Sequence, residues 1–82
     1  MKATRVNVER IATQRGLEPI QIDGIPEGFS FKAPDLEVGG KLYAGQYVVY
    51  VPNTEKIVWG YHLDTLLEQY NLEIEYGAKQ RH

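Results

Sequence analysis

The sequence predicts an α+β domain: a small, mostly antiparallel sheet of about four to five strands, packed by one N-terminal helix and one helix in the C-terminal half. Three observations carry this expectation. Two runs rich in β-branched and aromatic residues, 46–51 and 56–60, flank the turn residues Pro52-Asn53-Thr54-Glu55, which is the pattern of a hairpin. Leu63, Leu66, Leu67 and Tyr70 recur at i, i+3, i+4, i+7, the stripe of an amphipathic helix. Val8, Ile11 and Ala12 repeat that spacing over a shorter stretch, and Gly16 follows as a stop.

Taken in order, the first helix is expected over residues 8–15 with Asn7 as its cap, because a short side-chain oxygen can accept the free amides of a first turn. Arg5, Arg10 and Arg15 are five residues apart, so successive ones are rotated by roughly 140° and form no single basic stripe. This segment is similar to the first helix of a helix-turn-helix, but Pro19, Asp23-Gly24 and Pro26 break the stretch where a second helix would follow. Ile20 to Ile22 and Phe29 to Phe31 alternate as two short strands around a loop. Residues 33–40 then supply the longest irregular connection, with Gly39-Gly40 as a hairpin or loop tip able to carry a contact.

In the main hairpin, pairing Val51 with Lys56 sets Val49 beside Val58 on one face. It sets Tyr50 beside Ile57 and Val48 beside Trp59 on the other. Both faces are apolar, so one meets the core while the other calls for more chain, a second copy or a partner. The second helix is expected over residues 62–70, closed by Asn71, and a last strand over 72–76, where Leu72, Ile74 and Tyr76 alternate with Glu73 and Glu75. The order is therefore α-β-β-β-β-α-β within a single domain of residues 1–77, and residues 78–82 form a frayed basic tail.

Composition narrows function more than motifs do. The chain of 82 residues has no cysteine, which excludes disulfides and thiolate metal sites. It shows neither a signal-peptide pattern nor an apolar run near the roughly 20 residues that span a bilayer, so the cytoplasm is the expected compartment. Net charge is -2, the wrong sign for a protein that lives by neutralising phosphates. Basic residues gather before Gly16 and acidic ones, Glu55, Asp64, Glu68, Glu73 and Glu75, after Pro52.

No enzyme is expected. His62 is the one histidine inside the chain, and Asp64, two positions on, points elsewhere on a helix. Gly39-Gly40-Lys41 lacks the other residues of a phosphate loop. No cofactor or metal is expected either.

The stretch KLYAGQYVVY, Lys41 to Tyr50, carries three tyrosines. It resembles the aromatic strand of the RNA-recognition module, written Lys/Arg-Gly-aromatic-Gly/Ala-Phe-Val-x-aromatic, with Gly45-Gln46 inserted and Leu42 in place of glycine. The resemblance implies that Lys41, Tyr43 and Tyr47 share one face for base stacking. It covers about a tenth of the chain, and the companion aromatic motif that opens that family is absent.

The same residues serve a protein-binding face, since Tyr and Trp concentrate at interface hot spots. The expected site is Tyr43, Tyr47, Tyr50 and Trp59, ringed by Glu55, Asp64 and Glu68 to steer a basic-surfaced partner. The leading expectation is thus a small non-catalytic domain that binds a larger protein or complex as an inhibitor or adaptor. By analogy of size and charge alone, phage-encoded inhibitors of nucleic-acid enzymes are of this kind. Single-stranded RNA or DNA binding through the tyrosine strand is the first alternative, and a homodimer closed through its second apolar sheet face is the next.

Overall fold

The structure is a computed structural model that describes residues 2–79, and their side chains through Gly77. Its elements are α1 (Arg5–Gln14), β1 (Glu18–Pro19), β2 (Ser30–Lys32), β3 (Leu36–Val38), β4 (Lys41–Tyr43), β5 (Tyr47–Tyr50), β6 (Ile57–Gly60) and α2 (Leu63–Lys79). The class is α+β, and the order is α-β-β-β-β-β-β-α. A four-stranded antiparallel sheet runs β1-β2-β5-β6, and β3 and β4 pair only with each other.

α1 starts three residues earlier than its apolar spacing suggests. Thr4 is extended (φ -126, ψ 160) and caps the helix, while Asn7 sits at the third helical position and closes a capping box from there. The Thr4 amide donates to Asn7 Oδ1 at 2.8 Å, the Asn7 amide donates to Thr4 Oγ1 at 3.4 Å, and Asn7 Nδ2 donates to the Lys2 carbonyl at 2.8 Å. Asn7 is therefore buried and fully used, which is why it works inside the first turn rather than before it. Arg15 follows as the C-cap and Gly16 leaves the helix at φ 73.

The first strand lies at Glu18–Pro19, ahead of the expected 20–22. Ile20 makes one further bond to the Ser30 carbonyl at 3.0 Å, and the chain then turns at Asp23-Gly24, with Gly24 at φ 93. Ile22 and Ile25 on either side of that turn are buried, so these residues serve the core as a loop instead of a strand.

The β5–β6 hairpin has the register its sequence dictates: Tyr50↔Ile57, Val49↔Val58, Val48↔Trp59 and Tyr47↔Gly60, with the Val51 amide bonded to the Lys56 carbonyl at 3.0 Å. The two sheet faces follow from it. Phe31, Val48, Tyr50, Ile57 and Trp59 share one face, because Phe31 pairs with Val48. α1 lies over the Tyr50 end of this face, where Arg15 Nη1 donates to the Tyr50 hydroxyl at 3.2 Å and Phe31 meets the Tyr50 ring edge-on at 5.7 Å and 87°.

Val49 and Val58 point to the other face, which α2 closes along β5 and β6 with Leu66 and Tyr70. The core is thus two layers deep, one on each side of the sheet. Each fully buried aliphatic or aromatic side chain in it contributes about 1.5–3 kcal/mol of transfer free energy.

The largest departure from expectation is at the C-terminus. The alternation Leu72, Ile74, Tyr76 forms no strand, because α2 runs unbroken through Asn71 to Lys79. Ile74 lies eleven residues after Leu63 and so prolongs the same helical stripe, and a mid-helix asparagine costs only a few tenths of a kcal/mol. The helix also takes in residues 78–79 of the expected tail, and residues 80–82 lie outside the described part of the chain. No helix among the described residues is long and apolar enough to cross a membrane.

Candidate functional site

The segment expected to be an irregular connection is a hairpin standing apart from the main sheet. β3 and β4 pair as Leu36↔Tyr43, Glu37↔Leu42 and Val38↔Lys41 around Gly39-Gly40. Both glycines have positive φ, 59 and 80, the conformation a two-residue hairpin turn demands and glycine supplies without strain. Period-two alternation puts Leu36, Val38, Tyr43 and the Lys41 stem on one side, and Glu37 and Leu42 on the other. All six strand residues are exposed, Leu36 at 61% and Tyr43 at 53%. This ribbon forms an arm.

The arm is fixed at its base by contacts remote in sequence. Asp35 Oδ1 accepts from Lys32 Nζ at 3.0 Å and from the Gly45 amide at 2.9 Å. Both bonds favour the ionised carboxylate, the Gly45 amide more than the Lys32 ammonium, and hold the Asp35 pKa below its ordinary value. Just beside this staple the Ala33 amide donates to the Gln46 carbonyl at 2.9 Å. The two strands of chain cross so closely that a Cβ on Gly45 would lie 1.9 Å from the Ala33 carbonyl oxygen. Only glycine fits there.

This crossing divides the stretch Lys41 to Tyr50. Lys41 and Tyr43 belong to the arm, whereas Tyr47 and Tyr50 belong to the main sheet, and within β5 Tyr47 and Tyr50 point to opposite faces. Tyr50 is 4% exposed, held under α1 by Arg15 and Phe31, so it belongs to the core and not to a contact surface. The expected shared face of Lys41, Tyr43 and Tyr47 does not form, because the inserted Gly45-Gln46 is where the chain changes sheets.

Of the remaining expected residues, Tyr47 is half-buried, and Glu55 is exposed in the turn before β6. Asp64 and Glu68 are exposed on the side of α2 away from the sheet. Trp59 is 63% exposed on the outermost strand, far from the end that α1 covers. The tyrosines and acids expected to form one site are therefore distributed over the arm, the core, the β6 edge and the back of α2. Sequence reasoning missed Leu36, Val38 and Leu42, although Gly39-Gly40 between alternating apolar residues was the signal for them. It also missed Asp35 and Gly45, whose mutual bond spans ten residues.

A shallow cleft lies between α1 and the β1–β2 edge, lined by Arg5, Glu9, Pro19, Glu27 and Phe31. Arg5 and Glu27 face each other across it at 3.8 Å and are both largely exposed, an arrangement worth little in water. No histidine, nucleophile and carboxylate converge there, and among the described residues no group of three histidine or acidic side chains is placed to hold a metal. Comparison with protein families, with curated proteins and with solved structures returns no match.

Proposed function

We propose that this chain is a non-catalytic protein-binding domain that acts in the cytoplasm as an inhibitor or adaptor of a larger assembly, with the arm as its contact element. The observation that carries this reading is the combination of a fully exposed apolar ribbon with a rigid base. A lone two-stranded hairpin is marginal in water, and this one turns Leu36, Val38 and Tyr43 outward together. Its base is nevertheless locked by the Asp35 staple and the Gly45 crossing. Fixing the arm before contact lowers the conformational entropy lost on docking, and a slot with apolar walls in a partner would take its face as an added β-ribbon.

The test compares wild type with Leu36→Asp and Tyr43→Asp in capture of partners from a lysate of the source cells, followed by affinity measurement on the purified pair. Both positions are exposed, so both variants should fold as wild type does by circular dichroism. The expected result is at least a tenfold loss of affinity for each, since hot-spot side chains carry about 2 kcal/mol or more. Equal capture by folded variants would remove the arm from the proposal.

A further inference from the structure

The two edges of the main sheet are treated in opposite ways. At one edge β1 is only two residues long, Glu18–Pro19, so it offers a charge and a residue with no amide to donate; both are devices that stop another strand from adding. At the other edge β6 reads Ile57-Val58-Trp59-Gly60, with no charge, proline or bulge among its four residues. The register gives the amides and carbonyls of Val58 and Gly60 to β5 and turns those of Ile57 and Trp59 outward. An open, apolar strand edge of this kind is completed by another strand.

We propose that β6 pairs antiparallel with β6 of a second copy, making one continuous eight-stranded sheet about a two-fold axis. Three features select a second copy over a different partner. An antiparallel strand edge is self-complementary under a two-fold axis. α2 lies beside this edge, where Gln69 and Glu73 form a shallow recess with Ile57, Val58 and Trp59, so two copies would bring two α2 helices side by side on one face of the joined sheet. The flank of α2 turned that way carries Thr65, Gln69, Leu72 and Tyr76 with Glu73 among them, whereas Asp64 and Glu68 lie on the back of the helix, away from the sheet. The helices therefore meet mainly through uncharged side chains, with the two Glu73 carboxylates at the joint and Asp64 and Glu68 of each copy kept away from it.

The exposed surface is of the right size. Trp59, Tyr61, Leu72 and Tyr76 are 52–63% exposed, which amounts to roughly 500 Å² of side chain. With the strand backbone added, this approaches the lower range of a stable interface of about 800 Å² per partner. Trp59 packs on the α1 side of the joint and Leu72 on the α2 side, so both faces of the new strand pair are covered. This inference is independent of the arm, and the variant Leu36→Asp should leave self-association unchanged.

The experiment is sedimentation velocity from low to high micromolar concentration, with the emission of Trp59, the single tryptophan of the chain, followed over the same range. The expected result is a monomer–dimer equilibrium with a blue shift of Trp59 emission as dimer forms. Trp59→Lys and Leu72→Lys, each checked for native circular dichroism, should weaken it at least tenfold. A wild-type chain that stays monomeric at high micromolar concentration would overturn the proposal. So would a dimer whose formation leaves Trp59 emission unchanged, whatever the fate of the variants.

Discussion

Gly45→Ala isolates the crossing that holds the arm. An added Cβ would stand 1.9 Å from the Ala33 oxygen, 2.6 Å from the Ala33 carbonyl carbon and 2.9 Å from the Pro34 oxygen. Ordinary contact between such atoms is about 3.5 Å, and all three belong to backbone, so no rotamer change relieves the clash. The two segments must separate by well over 1 Å. That displacement strains the bonds from the Gly45 amide to Asp35 and from the Ala33 amide to the Gln46 carbonyl, both 2.9 Å.

Overpacking of this kind costs about 1–3 kcal/mol, and each lost hydrogen bond about 0.5–1.5 kcal/mol. Against these stands about 0.4–1 kcal/mol gained because alanine restricts the unfolded chain. The net expectation is a loss of about 2–3 kcal/mol. With a urea m-value of about 1–2 kcal/mol/M for a small domain, the midpoint falls by roughly 1–3 M. Gly77→Ala is the control: it lies in α2 with nothing within 4 Å of its added Cβ, and should raise stability by about 0.5–1 kcal/mol. Equal or greater stability of Gly45→Ala, with unchanged amide-exchange protection in residues 36–43, would refute the account of the arm's base.

Three further outcomes follow from named contacts. Asn7→Ala removes the bond from the Thr4 amide to the Asn7 side chain, one half of the capping box, and the bond to the Lys2 carbonyl, and should cost about 1–2 kcal/mol in urea denaturation. Tyr50→Ala empties a buried site between Phe31 and α1 and should cost about 3–5 kcal/mol, whereas Tyr50→Phe, which loses only the bond from Arg15, should stay within about 1 kcal/mol of wild type. The Asp35 carboxyl has a folded pKa below 3.8, so its contribution to the arm's base is complete above its unfolded value and is lost as pH falls through the lower, folded one. The Gly45 amide resonance should therefore be constant from neutral pH down to about 4 and shift below it. A Gly45 titration centred above that value would contradict the bond.

The parts of the fold legible in the sequence are those whose determinants are local and redundant. The β5–β6 register is fixed by three apolar pairs and a four-residue turn, and a slip of one residue would reverse every side chain at once. α1 and the first half of α2 announce themselves by spacing. The arm was not legible as an element because its strands are three residues long and exposed throughout, leaving only Gly39-Gly40 to mark it. The C-terminal stretch satisfied two periods at once: Leu72, Ile74 and Tyr76 alternate, yet Ile74 also extends the stripe of Leu63, Leu66, Leu67 and Tyr70. Helical packing decides between them, since the buried Leu66 and Tyr70 already anchor α2 along β5 and β6 and the helix runs on from there without a break. The tyrosine strand failed for a third reason, a backbone crossing between residues twelve apart that no periodicity records.

The arm and the open edge, though independent, constrain one another. The arm leaves the sheet between Lys32 and Tyr47, which pair with each other, and Tyr47 pairs in turn with Gly60, so it rises from the Gly60 end of β6. Antiparallel pairing of two β6 strands reverses direction across the joint and sends the two arms to opposite ends of the joined sheet. Such a dimer cannot insert both arms into one cleft, which removes the avidity that a single bivalent target would give. It would instead hold two partner molecules apart at a fixed distance. A complex of two chains with one partner would conflict with this geometry, whereas a two-to-two complex, falling to one-to-one on Trp59→Lys, would agree with both surfaces at once.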